Sequence, residues 1–238
     1  MLNIMTNSPE TPTANPRWKD WYPSGVVPDF RNIPVEESPY GMPNLETLLL
    51  FASLPFGSRI GDIGGGDARY ALPLARMGHQ VIVTDVDRPP LVRANEKSRL
   101  HDVNRRMATI LTDATTQFPI HDGSLDAVLN AGFGYLIPPD ELDLLFEKMA
   151  ATLKPRGAMV FECATNRDRR KTATSEISLI GENEYNYEHD EGMAVMERLY
   201  AEHGFRDFTI QEKTIHLEEP YYLHTDLIIA SGIKDKLR

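Results

Sequence analysis

The sequence predicts an α/β fold: a seven-stranded, mostly parallel, doubly wound sheet with an antiparallel C-terminal hairpin and helices on both faces. Three observations carry this. From Ser58 onward, five short apolar runs are separated by segments long enough to be helices or crossover loops, a pattern that requires a parallel sheet covered on both sides. A glycine cluster, Gly64-Gly65-Gly66, joins the first run to the first of these helical stretches. After His203 two more runs follow with only a short polar loop between them, which suits an antiparallel pair.

The elements follow in order. Nine of the 17 prolines precede Gly57, among Trp18, Trp21, Tyr22, Phe30 and Tyr40, so this leader cannot be a regular helix or central strand. Its first dozen residues are expected to be loose, and its aromatics to hold Trp18 to Pro43 against the body. Asn44 is a candidate N-cap for a helix over Leu45 to Leu54, whose buried face is predicted to be Leu45, Leu48, Leu49 and Ala52. Arg59 to Ile63 reads as the first strand, Asp67 to Met77 as a helix stopped by Gly78, and Val81 to Thr84 as the second strand. Asp87 offers a cap before Pro89 and Pro90, for a helix running to about His101. Met107 to Leu111 and Leu125 to Leu129 are strands three and four. Leu142, Leu145, Phe146, Met149 and Leu153 mark an amphipathic helix between Pro139 and Lys154. Ala158 to Cys163 is strand five, Gly192 to His203 a helix stopped by Gly204, and Phe208 to Ile215 with Asp226 to Ala230 the closing pair. The expected organisation is an N-terminal arm and helix over 1–57, a lid for cofactor or substrate, and a core over 58–238 with an inserted lid or recognition segment at 166–191.

Composition narrows the function classes. The 238 residues are 41% hydrophobic and 25% charged, ordinary for a globular protein. A net charge of -10 opposes binding to phosphate backbones and anionic lipid, so neither nucleic acid nor membrane is an expected partner. No stretch has the ~20 consecutive apolar residues that span a bilayer, and Met1 to Glu10 lacks the pattern of a secretory leader; a cytoplasmic location is expected. One cysteine, Cys163, excludes an internal disulfide and a thiolate metal cluster, and reads as a buried, inert thiol. No metal site is predicted.

Chemistry gathers where the strands end. Asp62-Ile63-Gly64-Gly65-Gly66-Asp67-Ala68 lets a ligand approach the backbone closely between strand and helix. A dinucleotide fingerprint beginning at Gly64 requires a small residue at position 69, where Arg69 stands, which disfavours NAD or FAD. Asp85 ends strand two, 23 residues after Asp62, where a carboxylate can accept from both hydroxyls of a ribose. Asp113-Ala114 follows strand three, placed for an adenine amino group and ring. Asn130-Ala131-Gly132-Phe133 ends strand four on the same carboxyl edge. Each has a plainer reading: a tight turn for the glycines, a helix cap for Asp85 or Asp113, a surface-turn role for Asp126, and a solvated face for Arg167, Arg169, Arg170 and Lys171.

At these residues the chain resembles the class I S-adenosylmethionine (SAM)-dependent methyltransferases, over roughly Ser58 to Ser231. The matching stretches are Arg59 to Ala68, Val83-Thr84-Asp85-Val86-Asp87, Asp113-Ala114 with Phe118 to Val128, and the turn Leu153-Lys154-Pro155-Arg156-Gly157. Ala68 stands where the family usually has a third glycine. The resemblance implies SAM as cofactor, held by Asp62, Gly64, Gly65, Gly66, Asp85, Val86, Asp113, Ala114, Asn130 and Ala131, with Tyr22, Tyr40, Phe133 and Tyr135 as aromatic candidates near the sulfonium. It also implies methyl transfer to an O, N or C atom of an acceptor. Strand four lacks the Asn-Pro-Pro-Tyr motif of amino-group nucleic-acid methyltransferases, so a small-molecule acceptor is favoured. Tyr185, Tyr187 and His189 in the insertion, and His224 near the last strand, are the candidates for catalysis and acceptor binding. Two alternatives stay open: attack on another sulfonium carbon, releasing methylthioadenosine, and a SAM-binding protein without chemistry. A homodimer is compatible with all three.

Overall fold

The computed structural model describes residues 43–132, 137–164, 169–170, 189–217 and 223–235. The chain divides into two compact units, Met1–Ile120 and His121–Arg238.

In the first unit, helix α1 (Leu45–Ala52) precedes strand β1 (Arg59–Ile63), helix α2 (Ala71–Arg76), β2 (Gln80–Asp85), α3 (Arg88–Leu100) and β3 (Met107–Leu111). The three strands are parallel, with β2 between β1 and β3. In register, Ile63 lies opposite Thr84 and Asp85 opposite Leu111, so the carboxyl ends of the strands form one edge. Asn44 caps α1 as the sequence predicts, its Oδ1 accepting from the Glu46 amide at 3.0 Å.

Three details depart from the sequence reading. The stripe of α1 is turned around: Thr47 and Phe51 are buried, while Leu45 and Leu49 are 65% and 59% exposed and Ala52 also faces out. Phe51 is the bulkiest side chain of the helix and outweighs the leucine periodicity, and the chain on either side of it is anchored. The Asn44 amide donates to the Tyr70 hydroxyl at 2.7 Å, and the buried ring of His79 bonds the Phe51 carbonyl. Burial holds His79 below its ordinary pKa, so it packs as the neutral ring. Helix α2 starts at Ala71 and not at Asp67, because Ala68 has a left-handed backbone, φ +71°, which no α-helix passes through. Asp87 occupies the N-cap position of α3 but makes no side-chain cap. The amides such a cap would bond belong to the second and third helical residues, here Pro89 and Pro90, which have none.

The second unit contains β4 (Leu125–Ala131), α4 (Pro139–Thr152), β5 (Leu153–Ala164), β6 (Arg169–Arg170), α5 (His189–Glu202), β7 (Phe205–Leu217) and β8 (Leu223–Lys234). Strand β5 runs parallel to β4 and antiparallel to β8, which also pairs antiparallel with β7 and β6. All seven expected strands form, in the mostly parallel α/β arrangement with antiparallel C-terminal strands. The two-residue β6 is additional, and it draws part of the predicted insertion into the sheet. The helix after that insertion begins at His189, three residues before Gly192, because Asp190 and Glu191 fill its first turn, where acidic side chains meet the positive end of the helix dipole. Strand β5 starts at Leu153, directly after α4, and carries a large bulge: Leu125 faces Leu153, yet Ala127 faces Ala158. The bulge takes Pro155, which has no amide for the ladder, and Arg156, at φ +66°, out of regular pairing.

The core of this unit is aromatic. Phe146 on α4 lies 5.1 Å from the Tyr200 ring, edge to face, and 6.0 Å from Phe161 on β5. His203 packs against Phe146 as well. The Tyr200 hydroxyl, fully buried, donates to the Ala230 carbonyl at 2.8 Å and has that of Met159 at 3.3 Å. It thus ties α5 to both β5 and β8. Asp126 pairs with Lys154 at 2.6 Å, the structural role its position in the strand start suggests. Burial pushes the Cys163 thiol up to about 12, which keeps it protonated and inert. Among the described residues no helix is long and apolar enough to cross a membrane.

Tyr200→Phe should lower stability by about 1 to 3 kcal/mol, because it leaves buried carbonyl groups without their donor. Urea unfolding checks this: the midpoint should fall with the slope unchanged.

Candidate functional site

Eight of the residues selected from the sequence converge on the carboxyl edge of the first unit: Asp62, Gly64, Gly65, Gly66, Asp85, Val86, Asp113 and Ala114. The glycine loop leaves β1 at Ile63, with Gly64 and Gly66 at φ +70° and +53°. The Gly65 amide donates to the Thr84 carbonyl at 3.0 Å and that of Gly66 to Asp85 Oδ2 at 2.9 Å. Asp85 Oδ1 accepts from the Asp87 amide, also at 2.9 Å. One carboxylate therefore fastens the loop after β1 to the turn after β2. It is 7% exposed, and burial pushes its pKa up to about 6 against the opposing pull of the Asp87 and Gly66 amides, while the nearby Asp87 charge raises it further.

Asp62 supports the loop from below. Its side chain is 2% exposed, and a Cβ added at Gly65 would sit 2.6 Å from the Asp62 Cγ. Position 65 thus requires glycine for space, where Gly64 and Gly66 need it for backbone conformation. On the far side Lys97 of α3 holds Asp67, its Nζ 2.7 Å from Oδ2 and 3.3 Å from the backbone carbonyl. Sequence reasoning missed Lys97; its signal, a cation on α3 paired with the acid that follows the glycines, lies 30 residues along the chain.

The end of β3 joins this edge through the Thr112 amide, which donates to the Asp85 carbonyl at 2.8 Å. Asp113 Oδ1 accepts from the Thr115 amide and hydroxyl at 3.0 and 2.7 Å. These bonds close a turn and cap no helix, since none lies between β3 and β4, and they leave Asp113 Oδ2 outside them. Ala114 is buried beside it, and Val86 follows Asp85 in the turn.

Asn130 and Ala131 close β4 in the second unit, opposite Phe161 and Glu162 of β5. Glu162, not selected from the sequence, is 4% exposed; an acid inside the otherwise apolar run Ala158 to Ala164 was the available signal. His224 lies in β8, its backbone opposite Arg169 and His216, and His189 is the first residue of α5. Tyr22, Tyr40, Phe133, Tyr135, Tyr185 and Tyr187 fall outside the described residues, as does the 1–42 arm. Among the described residues no group of His, Cys, Asp or Glu is arranged to hold a metal ion.

The site is thus a parallel α/β edge whose first loop is glycine-rich and whose second strand ends in a buried acid bonded to that loop. Residues 60–157 match the model of a methyltransferase domain family. Solved structures share the fold. Phosphoethanolamine N-methyltransferase 2 of Haemonchus contortus, in complex with phosphomonomethylethanolamine and S-adenosylhomocysteine, has a TM-score of 0.62 at 17% identity over 85% of this chain and 56% of that one. The 1,6-didemethyltoxoflavin-N1-methyltransferase of Burkholderia thailandensis, with 1,6-didemethyltoxoflavin and S-adenosylhomocysteine bound, has a TM-score of 0.56 at 17% identity over 79% and 76%. TehB of Haemophilus influenzae has 0.61 at 14% over 81% and 63%. A comparison with curated proteins finds no match. The methyltransferase-domain match is confined to residues 60–157, and these solved structures share the chain's α/β fold.

Gly65→Ala should destabilise the protein by about 1 to 3 kcal/mol through overpacking against Asp62. Thermal unfolding with and without SAM checks this. The loss should be larger with SAM present, since a displaced loop binds the cofactor less well.

Proposed function

We propose that this enzyme methylates an O, N or C atom of a small molecule, with SAM held on the edge that Asp85 organises. The observation that supports this most directly is the Asp85 carboxylate: its oxygens accept the Gly66 and Asp87 amides at 2.9 Å, with the Val86 amide also bonded to the group, and two carboxylate oxygens together offer about four acceptor sites. A ribose hydroxyl can be accepted without undoing the loop. Gly64 to Gly66 admit the cofactor close to the backbone, and Asp113 with Ala114 receives the adenine edge and face. When bound, SAM supplies a methyl group on sulfonium sulfur, already activated for transfer. The chain's task is then alignment, which can contribute roughly 7 to 11 kcal/mol to the barrier.

The candidates for catalysis and acceptor binding are Tyr185, Tyr187 and His189, in the segment that follows β5, and His224 of β8. In open α/β sheets ligands bind beyond the carboxyl ends of the strands. The small-molecule class accords with the net charge of -10 and with the two methyltransferases of shared fold above that hold small ligands. Incubation with SAM and a small-molecule extract, followed by mass analysis, tests the reading. S-adenosylhomocysteine together with a product heavier by one methylene is expected; methylthioadenosine would replace it with attack on another sulfonium carbon.

The raised pKa of Asp85 gives a second expectation. A ribose hydroxyl donates to the ionised carboxylate, so protonation near pH 6 competes with SAM. Affinity should fall about tenfold between pH 7.5 and pH 5, with protons released on binding at the lower pH. Calorimetry in buffers of different ionisation enthalpy measures both. Without ligand the sign is opposite: between about pH 4 and 6 the folded state holds more protons at Asp85 than the unfolded chain, so this group's contribution to stability falls as pH rises.

A further inference from the structure

We propose that the outward apolar face of α1 is the docking surface for the chain's own N-terminal arm, centred on Trp18 and Trp21. This inference does not depend on the methyltransferase reading. Leu45, Leu49 and Ala52 share one side of α1, and the two leucines are 65% and 59% exposed. A single exposed leucine needs no explanation, but a helical stripe turned to solvent does. Phe56, four residues after the helix, is 80% exposed as well.

The occupant follows from three facts. The 42 residues before Pro43 are joined to this helix one residue before its cap, so they meet the face at the high effective concentration of a tether. That segment holds both tryptophans of the chain, with Tyr22, Phe30 and Tyr40, side chains that combine a large apolar area with few rotatable bonds. A second copy fits less well. An eight-residue helix is about 12 Å long, and its stripe offers far less than the ~800 Å² per partner of a stable interface, between chains that each carry a charge of -10.

Because Trp18 and Trp21 are the chain's only tryptophans, intrinsic fluorescence of the full-length protein reports on the arm alone. In the parent, emission should be blue-shifted from that of the urea-unfolded chain and weakly quenched by acrylamide. In Leu45→Ser/Leu49→Ser the blue shift should be lost and quenching should rise severalfold, with the far-ultraviolet circular dichroism unchanged. The reciprocal variant, Trp18→Ala/Trp21→Ala, should bind more of a hydrophobic dye than the parent, and adding the two serines should abolish that increase; this arm of the experiment decides if the serine variant folds poorly. Tryptophan emission identical in the parent and the serine variant would overturn the proposal. So would a parent dimer that becomes monomeric in the serine variant without any change in emission, which would assign the face to a second copy.

Discussion

The buried carboxylate of Asp85 is the point on which the candidate site turns. It ends β2, yet its two oxygens hold the Gly66 amide from the loop after β1 and the Asp87 amide from the turn into α3. Desolvation works against its charge, and the amides work for it. Because no arginine or lysine among the described residues neutralises the group, it keeps acceptor capacity that an ion pair would consume. The surrounding structure serves the same end: β1 and β2 are registered so that Gly65 reaches Thr84, Asp62 fills the space beneath Gly65, and Lys97 closes the outer side of the loop through Asp67.

The second unit rests on a different kind of constraint. Its C-terminal strands are long, thirteen residues in β7 and twelve in β8, and β8 is paired on both edges. Such a sheet has to be held in register from one face, and Tyr200 does this with a hydroxyl on the backbone of β8 and a ring among Phe146, Phe205 and Phe208. Gly232 makes room for that ring; a Cβ there would lie 2.8 Å from Tyr200 Cδ1. Lys234 at the end of β8 donates to the Ala150 carbonyl at 2.5 Å, supplying the cation that the last turn of α4 lacks.

Much of this was legible in the sequence because period and punctuation are local. The parallel strands, the amphipathic stripe of α4 and the stops at Gly78 and Gly204 all follow from spacing, and Asp85 could be found because it ends a strand at a fixed distance from a glycine cluster. What was not legible depends on partners far along the chain. The burying face of α1 is set by Phe51, Tyr70 and His79, not by its leucine count. The missing cap at Asp87 needed the observation that both recipient amides are proline. Lys97 and Glu162 have no motif of their own: one is defined by the acid it meets across the fold, the other by being charged where its neighbours are not.

Ala68 has a consequence for how the enzyme works. It is a fully buried alanine at φ +71°, in a conformation that costs about 1 to 2 kcal/mol without glycine. Folding, not ligand, meets that cost, because the methyl group is packed under the loop whether or not a cofactor is present. A loop fixed in this way is pre-formed for a ligand. Association is then governed by diffusion into the site and not by a slow rearrangement of the loop, and little loop entropy is lost when the cofactor arrives.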